Sequence, residues 1–208
     1  MEEKKLHIIK NVGNLYLKFG IRSITMDDIA AEMGISKKTL YRYFNDKEDL
    51  VSQIIDHYLE NPELDLARND QMNAIDNMFG VRDHVANIFK FYNSNVEYDL
   101  KKTYPHLFAK VHETKRLRIY NNTLENIKMG ISQGLYRQDL DAEFIAKLQV
   151  GRMLCTLNPD NLIFEENEVN SLELFDKIMS YHMHAICTEK GLKYYTEQLN
   201  KIHNEVRS

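Results

Sequence analysis

The sequence predicts an all-α protein, and three features point to that fold class. It contains only 3 Pro and 8 Gly in 208 residues, which is few for a fold built from many turns. Apolar residues recur three or four positions apart in one segment after another, the spacing that places them on one face of a helix. Residues that commonly cap helices precede several of these segments.

Short helices are predicted throughout residues 1–62. The apolar face of the first helix comprises Ile8, Val12, Leu15 and Phe19. Gly20 is placed to end this helix, because glycine accepts the left-handed conformation found at helix ends. The next three helices begin at capping residues, which are Thr25, Ser36 and Asp46. Pro62 then predicts a break, because the residue before a proline disfavours the helical conformation.

Residues 63–208 contain longer predicted helices. A polar, acidic connector at 63–71 precedes apolar positions from 72 to 96, which indicate one long helix or two divided near Gly80. Pro105 suits the first turn of a further helix that continues to Gly134. The remaining helices are predicted at about 142–157, 171–186 and 192–206.

Charge and cysteine content limit the classes of protein that fit. The net charge is −4, but residues 1–50 hold nine Lys and Arg against eight Asp and Glu, whereas residues 51–208 hold eighteen against twenty-three. This mild asymmetry fits a small nucleic-acid-contacting segment on a larger acidic body. Two cysteines do not make a disulfide framework, and no apolar run approaches the roughly 20 residues of a membrane span. We therefore expect a cytoplasmic protein with no secretory signal and no membrane partner.

Residues 24–44, ITMDDIAAEMGISKKTLYRYF, carry the strongest functional motif in the chain. The pattern over 25–44 predicts two short helices around a tight turn. Ala30 supplies a small residue where the helices cross, and Gly34 supplies a turn residue that tolerates positive φ. Ile35 and Leu40 are apolar residues that pack the inner side of the second helix against the rest of the head. Several independent requirements of a helix-turn-helix are thus met at fixed offsets.

The exposed side of the second helix offers hydrogen-bond donors to DNA. The N-terminal residues of a recognition helix lie deepest in the major groove, so Lys37, Lys38 and Thr39 are the candidates for base edges. The predicted phosphate contacts come from Thr25, Ser36, Tyr41, Tyr43 and Lys47. The alternative is a solvated charged helix with two surface tyrosines. This alternative explains any single lysine better than it explains the whole set of donors.

These residues resemble the N-terminal domain of the TetR family of transcriptional regulators over about the first 60 residues. The resemblance rests on Leu15, Tyr16, Gly20, Thr25, Ile29, Ala30, Gly34, Ser36, Leu40, Tyr41, Tyr43, Phe44, Lys47 and Leu50. Tyr16 stands where the family usually has phenylalanine. Lys37 and Lys38 fall where the family varies most, so the operator sequence does not carry over. The resemblance implies a homodimer whose last long helices form a four-helix interface, and a ligand cavity within the C-terminal helices.

The predicted fold is therefore all-α, with a three-helix helix-turn-helix DNA-binding head at 1–62 and a larger helical ligand-binding and dimerisation domain at 63–208. Residues 134–151 look like the link into the helix that begins the dimerisation surface in the family. The helix at 142–157 is apolar on more than one face, which fits either a dimer interface or a buried core. A pocket for an apolar or aromatic effector is predicted, although the same residues fit an ordinary core. These residues are Phe89, Tyr92, Tyr104, Phe108, Tyr120 and Met129.

Other residues give no sign of catalysis or metal binding. His182 and His184 are two positions apart, so on a helix they face in different directions and do not readily share a metal. No nucleophile–base pairing, phosphate-cradling glycine loop or HExxH spacing occurs, so we expect no enzyme activity, no metal and no cofactor. The sequence predicts a ligand-responsive homodimeric repressor that binds a palindromic operator through the helix at 36–44. The alternatives are an activator, a ligand-independent regulator, or a helical small-molecule-binding protein or enzyme whose N-terminal helices are only structural.

Overall fold

The computed structural model describes residues 2–60, 71–91, 94–156, 158, 161–169 and 171–205. In that part of the chain the regular elements are helices, and an isolated antiparallel bridge joins Tyr136 to Cys187. The helices are α1 (Glu2–Phe19), α2 (Met26–Glu32), α3 (Lys37–Leu40), α4 (Lys47–Leu59), α5 (Ala74–Phe91), α6 (Ser94–Thr103), α7 (Pro105–Ser132), α8 (Ala142–Thr156), α9 (Glu166–Val169), α10 (Leu172–Ile186) and α11 (Glu189–Glu205). The prediction of an all-α fold is confirmed. Within these ranges, none of the helices is apolar over a length that could span a membrane.

The described residues divide into two compact units, which we call the head and the body. The head comprises the described residues within 1–64 and 91–115, and the body comprises those within 65–90 and 116–208. The sequence predicts a head that ends at residue 62, whereas the structure adds 91–115 to it. The reason is packing, because Leu100, Tyr104 and Leu107 are buried in the same apolar cluster as the inner faces of α1 and α4.

The buried face of α1 differs from the predicted one. Its buried large side chains are Ile8, Ile9, Val12 and Tyr16. Leu15 is only half-buried and Phe19 is 48% exposed. Both sets of residues have helical spacing, so periodicity alone does not choose between them. The Phe19 ring instead lies beneath the Lys18 ammonium, which is 4.9 Å from the ring centroid.

The body packs around a second apolar cluster. Its most deeply buried members are Ala74, Ile75, Ile127, Tyr136, Phe175, Met183 and Ile186. The Tyr136 hydroxyl donates to Asn126 Oδ1 over 3.0 Å, and Asn126 Nδ2 donates to the Ala74 carbonyl over 2.8 Å. Arg82 of α5 forms a bidentate ion pair with Asp176 of α10, at 2.7 and 2.9 Å. These polar contacts join α5 to α7 and α10.

The helix α8 leaves part of its apolar surface exposed, which is not expected of an ordinary buried core helix, one of the two predicted alternatives. Its buried residues are Ala146 and Gln149, whereas Phe144 and Leu148 are 58% and 54% exposed. On α10, Tyr181 is 72% exposed. Phe144 and Leu148 of α8 and Tyr181 of α10 are thus exposed, and the Arg152 guanidinium of α8 lies 5.8 Å from the centroid of the Tyr181 ring, so the two helices are neighbours there. We call Phe144, Leu148 and Tyr181 the α8–α10 strip.

The buried imidazole of His182 makes the stability of the body depend on pH. His182 lies on α10, and burial, with a smaller contribution from Arg152, lowers its pKa to about 4. In the unfolded chain a histidine has a pKa of about 6.5, so between these values the unfolded state binds a proton that the folded state does not. Above about pH 6.5, His182 therefore does not lower the unfolding free energy. As the pH drops to about 4, protonation of His182 in the unfolded chain lowers the unfolding free energy by about 2–4 kcal/mol.

We expect His182→Gln to remove this contribution, so its unfolding free energy should fall less steeply than that of the wild type on acidification. Urea unfolding at a series of pH values measures the slope. His184→Gln changes an exposed histidine of the same helix and should keep the wild-type slope. Equal slopes in all three proteins would contradict a buried neutral imidazole at His182.

Candidate nucleic-acid interface

The helices α2 and α3 meet at the tight turn that the sequence predicts. Ala30 of α2 is 5% exposed and Leu40 of α3 is fully buried. Gly34 has a φ of +62°, a left-handed conformation that favours glycine. The Ile35 N–H donates to the Ala30 carbonyl over 3.0 Å and closes the turn. The two helices thus form a helix-turn-helix around the residues that the motif predicts.

Thr25 and Asp28 form a reciprocal cap at the start of α2. The Asp28 N–H donates to Thr25 Oγ1 over 3.2 Å, and the Thr25 N–H donates to Asp28 Oδ2 over 2.8 Å. The Thr25 hydroxyl also donates to Asp28 Oδ2 over 2.6 Å, and these bonds lower the pKa of the Asp28 carboxyl. The Thr25 hydroxyl is therefore already used for capping, and a phosphate contact has to replace one of its bonds.

The recognition segment, which we define as residues 36–44, is shorter as a helix than predicted. The helix α3 spans Lys37–Leu40, and Tyr41–Tyr43 form turns. The Arg42 N–H donates to the Thr39 carbonyl over 3.2 Å, three residues back, which tightens the chain after α3. At its start, Ser36 Oγ accepts the Thr39 N–H over 3.1 Å and caps the helix. The predicted helix at 36–44 is thus one helical turn followed by a tighter turn.

The two lysines of the recognition segment have different surroundings. The Lys37 ammonium lies 2.8 Å from Asp27 Oδ1, and this hydrogen-bonded ion pair raises the pKa of Lys37. Lys38 is exposed and makes no hydrogen bond or ion pair within the described ranges. Tyr41 is 43% exposed, whereas Tyr43 is half-buried against the core of the head. The face formed by α2 and the recognition segment therefore presents cationic and hydroxyl donors to solvent.

Lys47 occupies a different environment from the predicted phosphate contact. Its ammonium is half-buried and donates to the Ile21 carbonyl over 2.6 Å. Burial lowers the pKa of Lys47, while Asp99 and Asp28 act in the opposite direction. The ammonium also lies 5.9 Å from the centroid of the Tyr16 ring. Lys47 thus links α4 to the segment after α1, because its charge is directed inward to a backbone carbonyl.

The segment between α1 and α2 is held by a second charged side chain. Gly20 begins it with a φ of +84°, and the Arg22 N–H donates to Asp99 Oδ2 over 2.8 Å. Asp99 lies on α6 and is 7% exposed. Sequence reasoning missed this residue, because no local spacing connects positions 22 and 99. The only available signal was an acidic residue between the apolar residues Val96 and Leu100.

The predicted ligand-pocket residues fall into two groups. Those in or against the apolar cluster of the head are Tyr104 and Phe108. Those packed against the cluster of the body are Phe89 and Met129. Tyr120 is half-buried in the body, and Tyr92 lies outside the described residues. The described members of this set therefore do not belong to one apolar cluster, because α6 and the start of α7 pack with the head. Across the described chain, no group of three or more His, Cys, Asp and Glu side chains is arranged to hold a metal ion.

Comparison with known proteins identifies a family model that matches the head and several relatives. Residues 14–54 match the family model of bacterial regulatory proteins of the tetR family. The HTH-type transcriptional regulator YerO of Bacillus subtilis is 28% identical over 159 residues, which cover 71% of this chain and 53% of YerO. The regulator YvaF of the same organism is 35% identical over 57 residues, 26% of this chain and 30% of YvaF. The chain therefore spans about half the length of YerO and less of YvaF.

Solved structures extend the similarity of fold to most of the chain. A transcriptional regulator from Cytophaga hutchinsonii aligns with a TM-score of 0.67 and 21% identity, over 88% of this chain and 99% of that one. A putative transcriptional regulator from Saccharomonospora viridis in complex with choline aligns with a TM-score of 0.62 and 16% identity, over 91% of this chain and 100% of that one. At these identities the likeness concerns the fold.

We expect Lys47→Met to lower the unfolding free energy by about 1 kcal/mol, because it keeps most of the side-chain stem but removes the bond to the Ile21 carbonyl. Urea unfolding measures the change. Lys38→Met removes a charge from an exposed position in the same head and should leave stability within about 0.5 kcal/mol of the wild type. If Lys47→Met instead leaves stability unchanged and weakens only DNA binding, the phosphate contact predicted from the sequence is the better description.

Proposed function

We propose that this chain, which belongs to the TetR family of bacterial regulatory proteins through its N-terminal domain, is a ligand-responsive homodimeric repressor that binds a palindromic DNA operator. The observation that carries the proposal is the helix-turn-helix around Gly34, which lies within the segment that matches the family. Its outer face presents lysine, hydroxyl and phenol donors, which are the groups that bind base edges and phosphates.

Within this surface we assign the base contacts to Lys37, Lys38 and Thr39, at the start of the recognition segment. An ammonium donates to the O6 and N7 acceptors of guanine, which face the major groove. Phosphate contacts come from the exposed Ser36 and Tyr41, from the exposed Thr25, whose hydroxyl already caps α2, and from the half-buried Tyr43. Because Lys47 is engaged by a backbone carbonyl, its effect on DNA binding is exerted through the shape of the head.

The homodimer is supported by the α8–α10 strip. Exposed apolar patches on a protein surface commonly mark sites of protein–protein interaction. Phe144 and Leu148 are four positions apart on α8, so they lie on one side of that helix. A two-fold interface built on such a strip is self-complementary, and a dimer places two recognition segments about 34 Å apart, one turn of DNA.

The effector is assigned to the body. The regulator from Saccharomonospora viridis, whose fold is similar, was solved in complex with choline, which supports a small-molecule site in a protein of this architecture. Phe89, Tyr120 and Met129 are half-buried in the body and are the predicted pocket residues that remain candidates. We propose an apolar or aromatic compound that changes the spacing of the two heads and releases the operator.

A salt titration tests the proposed function. The ligand is a duplex recovered by repeated selection from a random library with the wild-type chain. We expect tight binding, with a logarithm of the association constant that falls linearly with the logarithm of the salt concentration. The slope should be about 0.9 for each phosphate neutralised. Lys38→Ala should weaken binding to the selected duplex by about 1–3 kcal/mol and relax its sequence preference. Absence of salt-dependent duplex binding by the wild type would favour a helical protein whose head is only structural.

Sedimentation at micromolar concentration tests the dimer. The wild type should sediment at twice the 24.6 kDa mass of the chain. We expect Leu148→Glu to shift the protein to monomer, because dimer formation then has to remove a carboxylate of the α8–α10 strip from water. Leu117→Glu, at a position 44% exposed on α7, is the matched control and should leave the mass unchanged. A wild-type monomer would contradict the proposal.

A further inference from the structure

Asp27 and Asp28 are adjacent on α2 but bind different partners. Asp28 Oδ2 accepts from the N–H and the hydroxyl of Thr25, so this carboxylate caps the helix. The Asp27 carboxylate lies against α3, with Oδ1 and Oδ2 at 2.8 and 3.0 Å from the Lys37 ammonium. The Asp27–Lys37 pair therefore bridges the two helices of the helix-turn-helix on its outer side.

This ion pair is not needed to hold the two helices together. The side chains of Lys37 and Asp27 are 53% and 68% exposed, and exposed ion pairs contribute little to stability. The crossing of α2 and α3 is instead fixed by the buried Ala30 and Leu40 and by the turn at Gly34. The Asp27 carboxylate thus affects binding by the outer face more than it affects the stability of the helix-turn-helix.

The pair makes the two neighbouring lysines unequal. Lys38 has no partner within the described ranges, so its ammonium is free to follow its flexible four-carbon stem. The Lys37 ammonium is held beside Asp27, and its charge is locally compensated. A donor already held in one place can be aligned with a single base edge before the DNA binds, whereas an unrestrained ammonium has to be ordered by the DNA itself.

We propose that Asp27 is a specificity-determining residue of the DNA-binding surface, which holds the Lys37 ammonium for a guanine edge in the major groove and keeps it from phosphates of unrelated sequences. Guanine O6 and N7 are the acceptors that suit a lysine donor there. Asp27 acts through Lys37 and is therefore a positioning residue. The inference rests on the proposed function, because it requires the outer face of α2 and α3 to enter the groove.

The test compares two duplexes, the one selected by the wild-type chain and a shuffled duplex of the same base composition. Asp27→Asn removes the charge and keeps the size of the side chain. We expect the variant to bind the shuffled duplex more tightly, with a salt slope steeper by about one, because the released ammonium displaces one further counterion. The ratio of the two affinities should fall by about fivefold or more, the discrimination that one well-placed base contact supplies.

A double variant shows whether Asp27 acts through Lys37. In a Lys37→Gln background, Asp27→Asn should leave the ratio of the two affinities unchanged, since no ammonium remains to be positioned. Glu173→Gln is the matched control, because it breaks an exposed ion pair of 2.7 Å with Lys177 in the body and changes the net charge equally. It should leave the ratio at the wild-type value.

The possible results separate the two proposals. If Asp27→Asn leaves the affinity ratio unchanged, or changes it equally with and without Lys37, the positioning role is overturned and the proposed function stands. If the wild type shows no salt-dependent duplex binding, both are overturned. Thermal unfolding should be unchanged in Asp27→Asn, because Thr25 and Asp28 still cap α2. A large loss of thermal stability would assign Asp27 to folding and overturn the role in specificity.

Discussion

The geometry of the head depends on how two charged side chains hold the backbone between α1 and α2. Asp99 accepts the Arg22 N–H, and Lys47 donates to the Ile21 carbonyl. Backbone groups in a short connection lack helical partners and are costly when they are buried unpaired. By supplying these partners from α6 and α4, the head fixes where α2 begins. The positions of Thr25, the turn and the recognition segment follow from that starting point.

Interactions within a few residues of each other were predictable from the sequence, and contacts between distant segments were not. At Thr25, Ser36 and Asp46, the capping side chain accepts a hydrogen bond from the backbone N–H three residues later, and all three predicted caps are present. The turn at Gly34 required only a residue that accepts positive φ. By contrast, Asp99 is 77 positions from Arg22, and no periodic pattern indicates that pairing.

The same distinction explains the findings for α1, Tyr104 and α8. Apolar spacing on α1 permits two overlapping faces, and the neighbours that choose between them come from α4 and α6. From the sequence alone, Tyr104 fits either a pocket or an ordinary core, and it is buried in the core of the head. For α8, the sequence indicates apolar residues on several sides without saying what covers them. The exposed Phe144 and Leu148 are consistent with a surface whose burial needs a second chain.

Tyr16 bears on how the head can change in evolution. Its ring packs within the apolar cluster, but its buried hydroxyl has no hydrogen-bond partner in the described part of the chain. An unpaired buried hydroxyl costs about 1–3 kcal/mol, and phenylalanine fills the same space without it. Tyrosine and phenylalanine codons differ by one nucleotide, so a more stable head is a single mutational step away. Such a reserve would allow the head to accept destabilising changes elsewhere, including changes that alter which DNA sequence it binds.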